Sequence, residues 1–177
     1  MGHLAVQACA AAGAEVSATC SVQQQAFVLQ QGAVVAHDFQ DSNWLASCGR
    51  FDVILDTVGG VVTELSVKLL APNGVVVCLA GDVVKNIDGH GLVVGLMNSA
   101  KQWMSVQPHL HAPQVVWHMN RADGDMLRDA VKMLSTGLLR PHVHKRVALE
   151  EVIAHVGSLQ QGGEASAATG KTIVIVK

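Results

Sequence analysis

The chain has 177 residues, enough for one substantial domain with a buried core. Half the residues are hydrophobic, 15% are charged, and the formal net charge is -2 with histidine neutral. This globular composition argues against disorder and against nucleic acid or an anionic membrane as partner, and no apolar run approaches the length of a membrane span.

In chain order the pattern alternates. Residues 1–14 could pass for the apolar core of a signal peptide, but no basic stretch precedes them, and a helix feeding a strand fits better. A helix is predicted over 2–12, ended by Gly13, with Ala5, Cys9 and Ala12 on the face that meets a sheet. Strands follow at 14–20 and 34–37, with a short helix over 22–31 between them, closed by Gly32. The run Phe51 to Asp56 (FDVILD) reads as a strand buried on both faces. A helix over 60–70 leads through Pro72 and Gly74 to a strand at 75–79. Residues 81–111 suggest a loop and then a helix, and 114–118 (QVVWH) another strand. A helix over 123–136 has Asp123 as its N-cap, with Met126, Leu127, Ala130, Val131 and Leu134 as its core stripe. Pro141 starts a polar, extended segment. An amphipathic helix over 149–161 turns Val152, Val156 and Leu159 inward, and Gly157 within it costs about 1 kcal/mol relative to alanine. A small polar loop and a closing strand at 171–177 complete the chain, without internal repeats. Strand, helix, strand at this rhythm predicts a parallel α/β sheet.

Cys9, Cys20, Cys48 and Cys78 are widely spread with no C-x-x-C pair, so they read as small buried hydrophobes in a reducing compartment. The two H-x-H pairs, His109 with His111 and His142 with His144, read as surface or edge-strand residues before metal ligands.

A nucleotide-binding α/β domain begins with a strand, a Gly-rich turn and a helix whose N-terminus faces a pyrophosphate. This chain begins with the helix. Met1 to Ala5 fits the tail of G-x-G-x-x-G/A, with Gly2 for the close turn and Ala5 for tight helix–strand contact; small residues packing a helix explain the same pair. At the end of the second strand an acid would bind the ribose hydroxyl of NAD and repel a 2′-phosphate. Here Thr19-Cys20-Ser21 carries no acid. Ser21 can donate to a phosphate oxygen, which favours NADPH, although only Gln23, Gln24 and Gln25 follow where a basic clamp would stand. A serine capping the next helix is compatible with both.

Gly13-Ala14-Glu15-Val16 and, more specifically, Phe51-Asp52-Val53-Ile54-Leu55-Asp56-Thr57-Val58-Gly59-Gly60 resemble the medium-chain dehydrogenase/reductase superfamily. The likeness continues through Leu70-Ala71-Pro72-Asn73-Gly74, Gly137-Leu138-Leu139-Arg140-Pro141, Leu149-Glu150-Glu151-Val152 and Gly170-Lys171-Thr172-Ile173-Val174-Ile175. Within the superfamily the chain is most similar to the zinc-free quinone-oxidoreductase branch, and Asn86-Ile87-Asp88 and Trp117 resemble a mitochondrial member of it.

The resemblance implies a Rossmann-type, doubly wound parallel sheet lacking its first strand. Residues 1–139 would form the nucleotide-binding domain, and 140–177 a segment returning to a GroES-like catalytic domain. It implies NADPH as cofactor, held at Gly2 (phosphate turn), Ser21 (adenosine phosphate) and Phe39, which stands where the family often has Tyr. Thr57, Val58 and Gly59 would pass the ribose. Leu79, Ala80 and Gly81, with His118, Met119 and Asn120, would lie beside the nicotinamide, and Lys171 follows the terminal glycine. For Leu79 and Met119 buried packing, and for Lys171 a solvated cation, are the plain alternatives. The implied reaction moves hydride to a quinone or an activated alkene or carbonyl, without zinc and with no catalytic acid or base named among these residues. A mitochondrial location and a homo-oligomer are further implications.

Because the first strand is the middle one of the order 3-2-1-4-5-6, the strands at 15–20 and 51–56 are expected to lack a shared partner, and the isolated chain to bind NADPH poorly. Two rivals remain. FDVILD followed by LLAPNGVVVC also fits an S-adenosylmethionine-dependent methyltransferase, against which stand the missing acid near Cys20 and the closing Gly-Lys-Thr-Ile-Val-Ile. A non-catalytic nucleotide-binding or interaction module is the other.

Overall fold

A computed structural model describes residues 1–80, 93–94, 97, 101, 115–117, 123–160 and 170–176, with the side chains of 117, 159 and 160 outside the description. Two compact units divide it: Met1–Ser47 with Asp123–Lys177, and Cys48–Ala122.

In the first unit, α1 (Gly2–Ala11) starts from Met1, whose carbonyl accepts from the N–H groups of Leu4 and Ala5. The helix is small and apolar nearly all round, so its sequence marks no inner side. Val6 is the buried residue, whereas Cys9 and Ala12 of the expected face are exposed. Polar contacts orient the helix instead. Gln7 accepts from the Arg140 N–H at 2.7 Å, donates to the Arg140 carbonyl at 3.1 Å and bonds the Gln31 side chain. His3 Nε2 accepts from the His142 N–H at 3.3 Å, and the Phe27 ring lies 5.9 Å from the His3 ring and 5.1 Å from that of His142.

Gly13 ends the helix at φ 86, as its sequence predicts. The strand β1 is Ser17–Cys20, shorter than expected. It pairs in parallel with β2 (Val35–Asp38), Cys20 opposite Asp38. Between them a 3-10 turn (Val22–Gln24) leads into α2 (Gln25–Gln30). After β2 comes a one-turn helix, α3 (Trp44–Ser47), that the sequence pattern did not mark. Its Trp44 ring sits 5.5 Å from that of His37, and His37 Nε2 is 2.9 Å from the Ser17 hydroxyl.

The same unit holds α5 (Gly124–Ser135), two strands and a last helix. Asp123 caps α5 as predicted: Oδ1 accepts from the N–H groups of Asp125 and Met126, both at 3.0 Å. The expected core stripe is not a core, since Met126 and Leu127 are each 66% exposed and Val131 and Leu134 are exposed as well. The polar segment after Pro141 becomes a strand, β6 (Val143–Ala148), paired in parallel with β7 (Lys171–Ile175). The helix α6 (Val152–Gln160) follows a 3-10 turn at Leu149–Glu151. Val152 is half-buried, but Val156, expected inward, is exposed. Leu159 lies outside the described side chains.

The second unit is built on β3 (Phe51–Asp56), α4 (Val61–Lys68), β4 (Leu70–Cys78) and β5 (Val115–Trp117). The three strands are parallel in the order β3-β4-β5. Leu70, Val76, Cys78 and Val115 form the core, joined by Ile54 and Val67. The double burial expected of FDVILD is not found: Val53 is 63% and Leu55 41% exposed, because the described residues of this unit cover one face of the strand. Leu70 pairs with Phe51 and Val75 with Val53, so β4 carries a longer excursion, through Pro72, Asn73 at φ 66, and Gly74. Arg50 stitches its entry by donating to the carbonyls of Lys68 and Leu70.

The pairings β2-β1 and β3-β4-β5 are those of strands three-two and four-five-six in a Rossmann order, and among the described residues β1 and β3 each have one ladder partner. The fold is α/β with parallel sheets, as the sequence pattern required.

Candidate cofactor-binding site

The residues singled out from sequence divide between the two units. In the first unit Gly2 is exposed, at a position where an added Cβ would meet nothing within 4 Å. The described residues therefore place no steric demand for glycine there. Ser21 follows β1 directly, and its register neighbour beyond Asp38 is Phe39, whose N–H donates to the Cys20 carbonyl at 3.2 Å. The Phe39 ring is exposed. Ser21 stands at the N-cap of the 3-10 turn but makes no capping bond. Its Oγ is buried and has no partner among the described residues. A buried unpaired hydroxyl costs about 1–3 kcal/mol, so this donor is suited to an acceptor brought from outside the chain.

Lys171 begins β7. Its N–H donates to the His142 carbonyl at 2.8 Å while its side chain is exposed. At the preceding Gly170, φ is 113 and a Cβ would lie 2.5 Å from that same carbonyl oxygen, so glycine is required. The cation of Lys171 is felt at the amino end of α1. Burial holds the His3 imidazole below the usual range, and the Met1 amine, His142 and Lys171 push the same way.

In the second unit Asp56 ends β3, and the turn Thr57–Gly60 follows. Asp56 is 3% exposed. Its Oδ1 accepts from the N–H of Val58 at 2.8 Å and of Gly59 at 3.0 Å, and its Oδ2 from the Thr63 hydroxyl at 2.5 Å. Gly59 and Gly60 take φ of 82 and 63, a left-handed stretch that glycine adopts without strain. Thr57 and Val58 are exposed, Gly59 buried. Leu79, half-buried, bonds back to β3 through its N–H on the Asp56 carbonyl at 2.8 Å. The Ala80 carbonyl accepts from Cys78 Sγ at 3.3 Å. Burial pushes the Cys78 thiol up, against its hydrogen bonds with Thr63 and Ala80, and burial with Asp38 does the same for Cys20. Of the four cysteines read as buried, Cys20 and Cys78 are; Cys9 is exposed and Cys48 half-buried. Gly81, His118, Met119 and Asn120 lie outside the described residues, as do His109 and His111.

The sequence motif contains Asp56 without marking a role for it, and the motif stops short of Thr63. The signal is present: an acid at a buried strand end, three positions before paired glycines, and a threonine in the first turn of the next helix.

The profile of the zinc-binding dehydrogenase family matches residues 30–174, most of the chain. The chain belongs to that family, within the medium-chain dehydrogenase/reductase superfamily. This family membership stands against the methyltransferase reading. Among curated relatives, the mitochondrial NAD(P)H oxidoreductase RTN4IP1 of Danio rerio is 28% identical over 186 residues, and that of Homo sapiens 25% over 183. Each alignment takes in 99% of this chain but only 46% and 45% of the relative, so the chain spans less than half the length of the curated relatives it matches. Among solved structures, the quinone oxidoreductase from Coxiella burnetii superposes with a TM-score of 0.76 at 21% identity, over 99% of this chain and 49% of that one. The CurK enoyl reductase gives 0.66 at 20% identity, over 98% and 50%. At those identities the likeness carries the fold.

The family's description speaks of zinc. Among the described residues no three His, Cys, Asp or Glu side chains converge so as to hold a metal ion. No helix among the described residues is long and apolar enough to cross a membrane.

Proposed function

We propose that this zinc-binding dehydrogenase family chain forms the nucleotide-binding part of an NADPH-dependent oxidoreductase of the zinc-independent, quinone-reductase type. The observation that carries the choice of NADPH is the buried hydroxyl of Ser21 at the carboxyl end of β1, without a partner among the described residues. An NAD-specific site places a carboxylate in that sequence position to bind ribose hydroxyls; a neutral donor there suits the oxygens of a 2′-phosphate. The relatives named NAD(P)H oxidoreductases support a nicotinamide cofactor, and quinone oxidoreductases among the structural neighbours support a small-molecule acceptor.

When bound, the reduced nicotinamide would supply the hydride for a quinone or an activated alkene or carbonyl. The chain's part is position. Ser21 would hold the adenosine phosphate, the exposed face of Phe39 would lie along the adenosine without the phenolic hydroxyl of a Tyr, and Gly2 would leave the amino end of α1 open to the pyrophosphate. The turn Thr57–Gly59 would run beside the ribose. Leu79, Ala80 and Gly81, with His118, Met119 and Asn120, would wall the nicotinamide end, and Lys171 would add a cation. Hydride addition leaves the acceptor an anion, and its proton would come from solvent, with no acid or base assigned among these residues. Residues 1–139 would form the nucleotide-binding domain and 140–177 return to the catalytic one. The parent enzyme would act in mitochondria and self-associate.

The test is fluorescence titration of the chain with NADPH and with NADH. Weak binding with NADPH preferred, and Ser21→Ala removing most of the preference, is the expected result. Equal affinity for the two forms, or a preference untouched by Ser21→Ala, would remove the basis for choosing NADPH. Stabilisation by S-adenosylmethionine and not by NADPH in a thermal-shift assay would remove the dehydrogenase reading altogether.

A further inference from the structure

The turn after β3 has the backbone of an anion-binding nest. Val58 and Gly59 aim consecutive N–H groups at one oxygen, and Gly59 supplies the left-handed φ of 82 that such a concavity needs. That oxygen belongs to the chain itself, Oδ1 of Asp56. The other oxygen of the carboxylate is tied to the Thr63 hydroxyl, with Cys78 Sγ at 3.8 Å. Asp56, Thr63 and Cys78 are 3%, 2% and 1% exposed, so water does not compete for the acid.

We propose that Asp56 is an internal anion that fills this nest, closes its two amides to phosphate, and leaves the turn to meet the hydroxyls of a sugar. The proposal rests on the reading of Thr57–Gly59 as the stretch beside the cofactor's ribose. A Gly-rich turn before a helix ordinarily offers its amides to a phosphate. Here the amides of Val58 and Gly59 are taken. The carbonyls of Gly59 and Gly60 accept from the N–H groups of Val62 and Thr63 at the start of α4. Thr57 and Val58 are exposed, so their carbonyls and the Thr57 hydroxyl are the groups this proposal turns toward a sugar. Carbonyl oxygens repel phosphate oxygens and accept from sugar hydroxyls. Asp56 is thus a positioning residue that sets the specificity of the turn without touching the ligand, and Thr63 fixes the acid's orientation.

The experiment is backbone-amide NMR of the whole 15N-labelled chain, titrated with inorganic phosphate and, separately, with NADPH. In the wild type the Val58 and Gly59 amides should exchange slowly with solvent and be unmoved by phosphate, while NADPH shifts signals across Thr57–Gly60. In Asp56→Ala the two amides should exchange roughly tenfold faster or more and shift on addition of phosphate. Should that variant fail to fold, Thr63→Val serves: exchange at Val58 and Gly59 should quicken, and Thr63→Ser should restore most of the protection. Phosphate shifting those amides in the wild type, or amides there exchanging like unprotected loop, would overturn the internal anion. An internal anion intact on the phosphate arm but no NADPH shift at Thr57–Gly60 would overturn the hydroxyl-reading role and, with it, the placement of this turn beside the cofactor.

Discussion

The strand layer β3-β4-β5 and the helix α5 carry two clear apolar patterns, and they end in opposite states. In the strand layer Leu70, Val76, Cys78 and Val115 close over one another. On α5, Met126, Leu127, Val131 and Leu134 form an equally regular row that stays exposed. Each region also has a carboxylate accepting from two backbone N–H groups near 3 Å, the buried Asp56 at the end of β3 and Asp123 at the exposed helix cap. The difference teaches that periodicity identifies which side chains share a face. What covers that face is decided by the neighbouring element, and so is the worth of an identical hydrogen bond.

Substitutions matched across the two regions would break this comparison most directly. Leu70→Ala should cost about 2–5 kcal/mol in urea unfolding, because it opens a cavity in a closed core. Leu127→Ala, on the uncovered row, should stay within about 0.5 kcal/mol. Similar losses for the two would mean that α5 is packed in solution. The carboxylates give the next contrast. Asp56→Ala should destabilise by about 2–4 kcal/mol, since it strands the buried Gly59 amide, the part-buried Val58 amide and a buried hydroxyl. Asp123→Ala should cost about 1 kcal/mol, as a solvent-exposed cap does.

Thiol chemistry sharpens the same contrast without mutation. Cys9 on exposed α1 should react with a thiol reagent in the native chain well before Cys20 or Cys78, whose burial raises their pKa and blocks access. Peptide mapping of the label reads the order. The smallest effect is on pH. His3 is held below its ordinary value near 6.5, so the unfolded chain takes up the proton first. Stability from this group is complete above about pH 6.5, falls as the pH drops through that value, and levels once folded His3 itself titrates. The site is partly open to water, so the change in urea midpoint should amount to less than about 1 kcal/mol, and His3→Gln should flatten it.

The elements with a strong local signature were legible in the sequence. Phe51–Asp56 is a strand from its first to its last predicted residue, and Asp123 is the cap its spacing announced. Misreadings occur where local signal is weak or where tertiary contacts decide. The uniform small residues of α1 have no preferred face, and Gln7 and His3 choose one by reaching Arg140 and His142, more than 130 positions away. The polar run Val143–Ala148 is extended, as expected, but it shows no apolar alternation to announce its pairing with β7. In the candidate site, the motif around Thr57–Gly60 was visible as a string of residues. The inward turn of the Asp56 side chain depends on Thr63 and Cys78 coming from two further elements, so no spacing rule could show it.

The excursion in β4 acts as slack between two fixed pairings. From the Phe51–Leu70 pair to the Val53–Val75 pair β3 advances two residues and β4 five, an odd surplus that a regular strand could not absorb without turning its side chains over. The sides of Val76 and Cys78 are therefore set by the ladders to β3 and β5 and not by a count along β4. Variants that lengthen or shorten the detour at Pro72 and Asn73 should leave Cys78 beside Asp56.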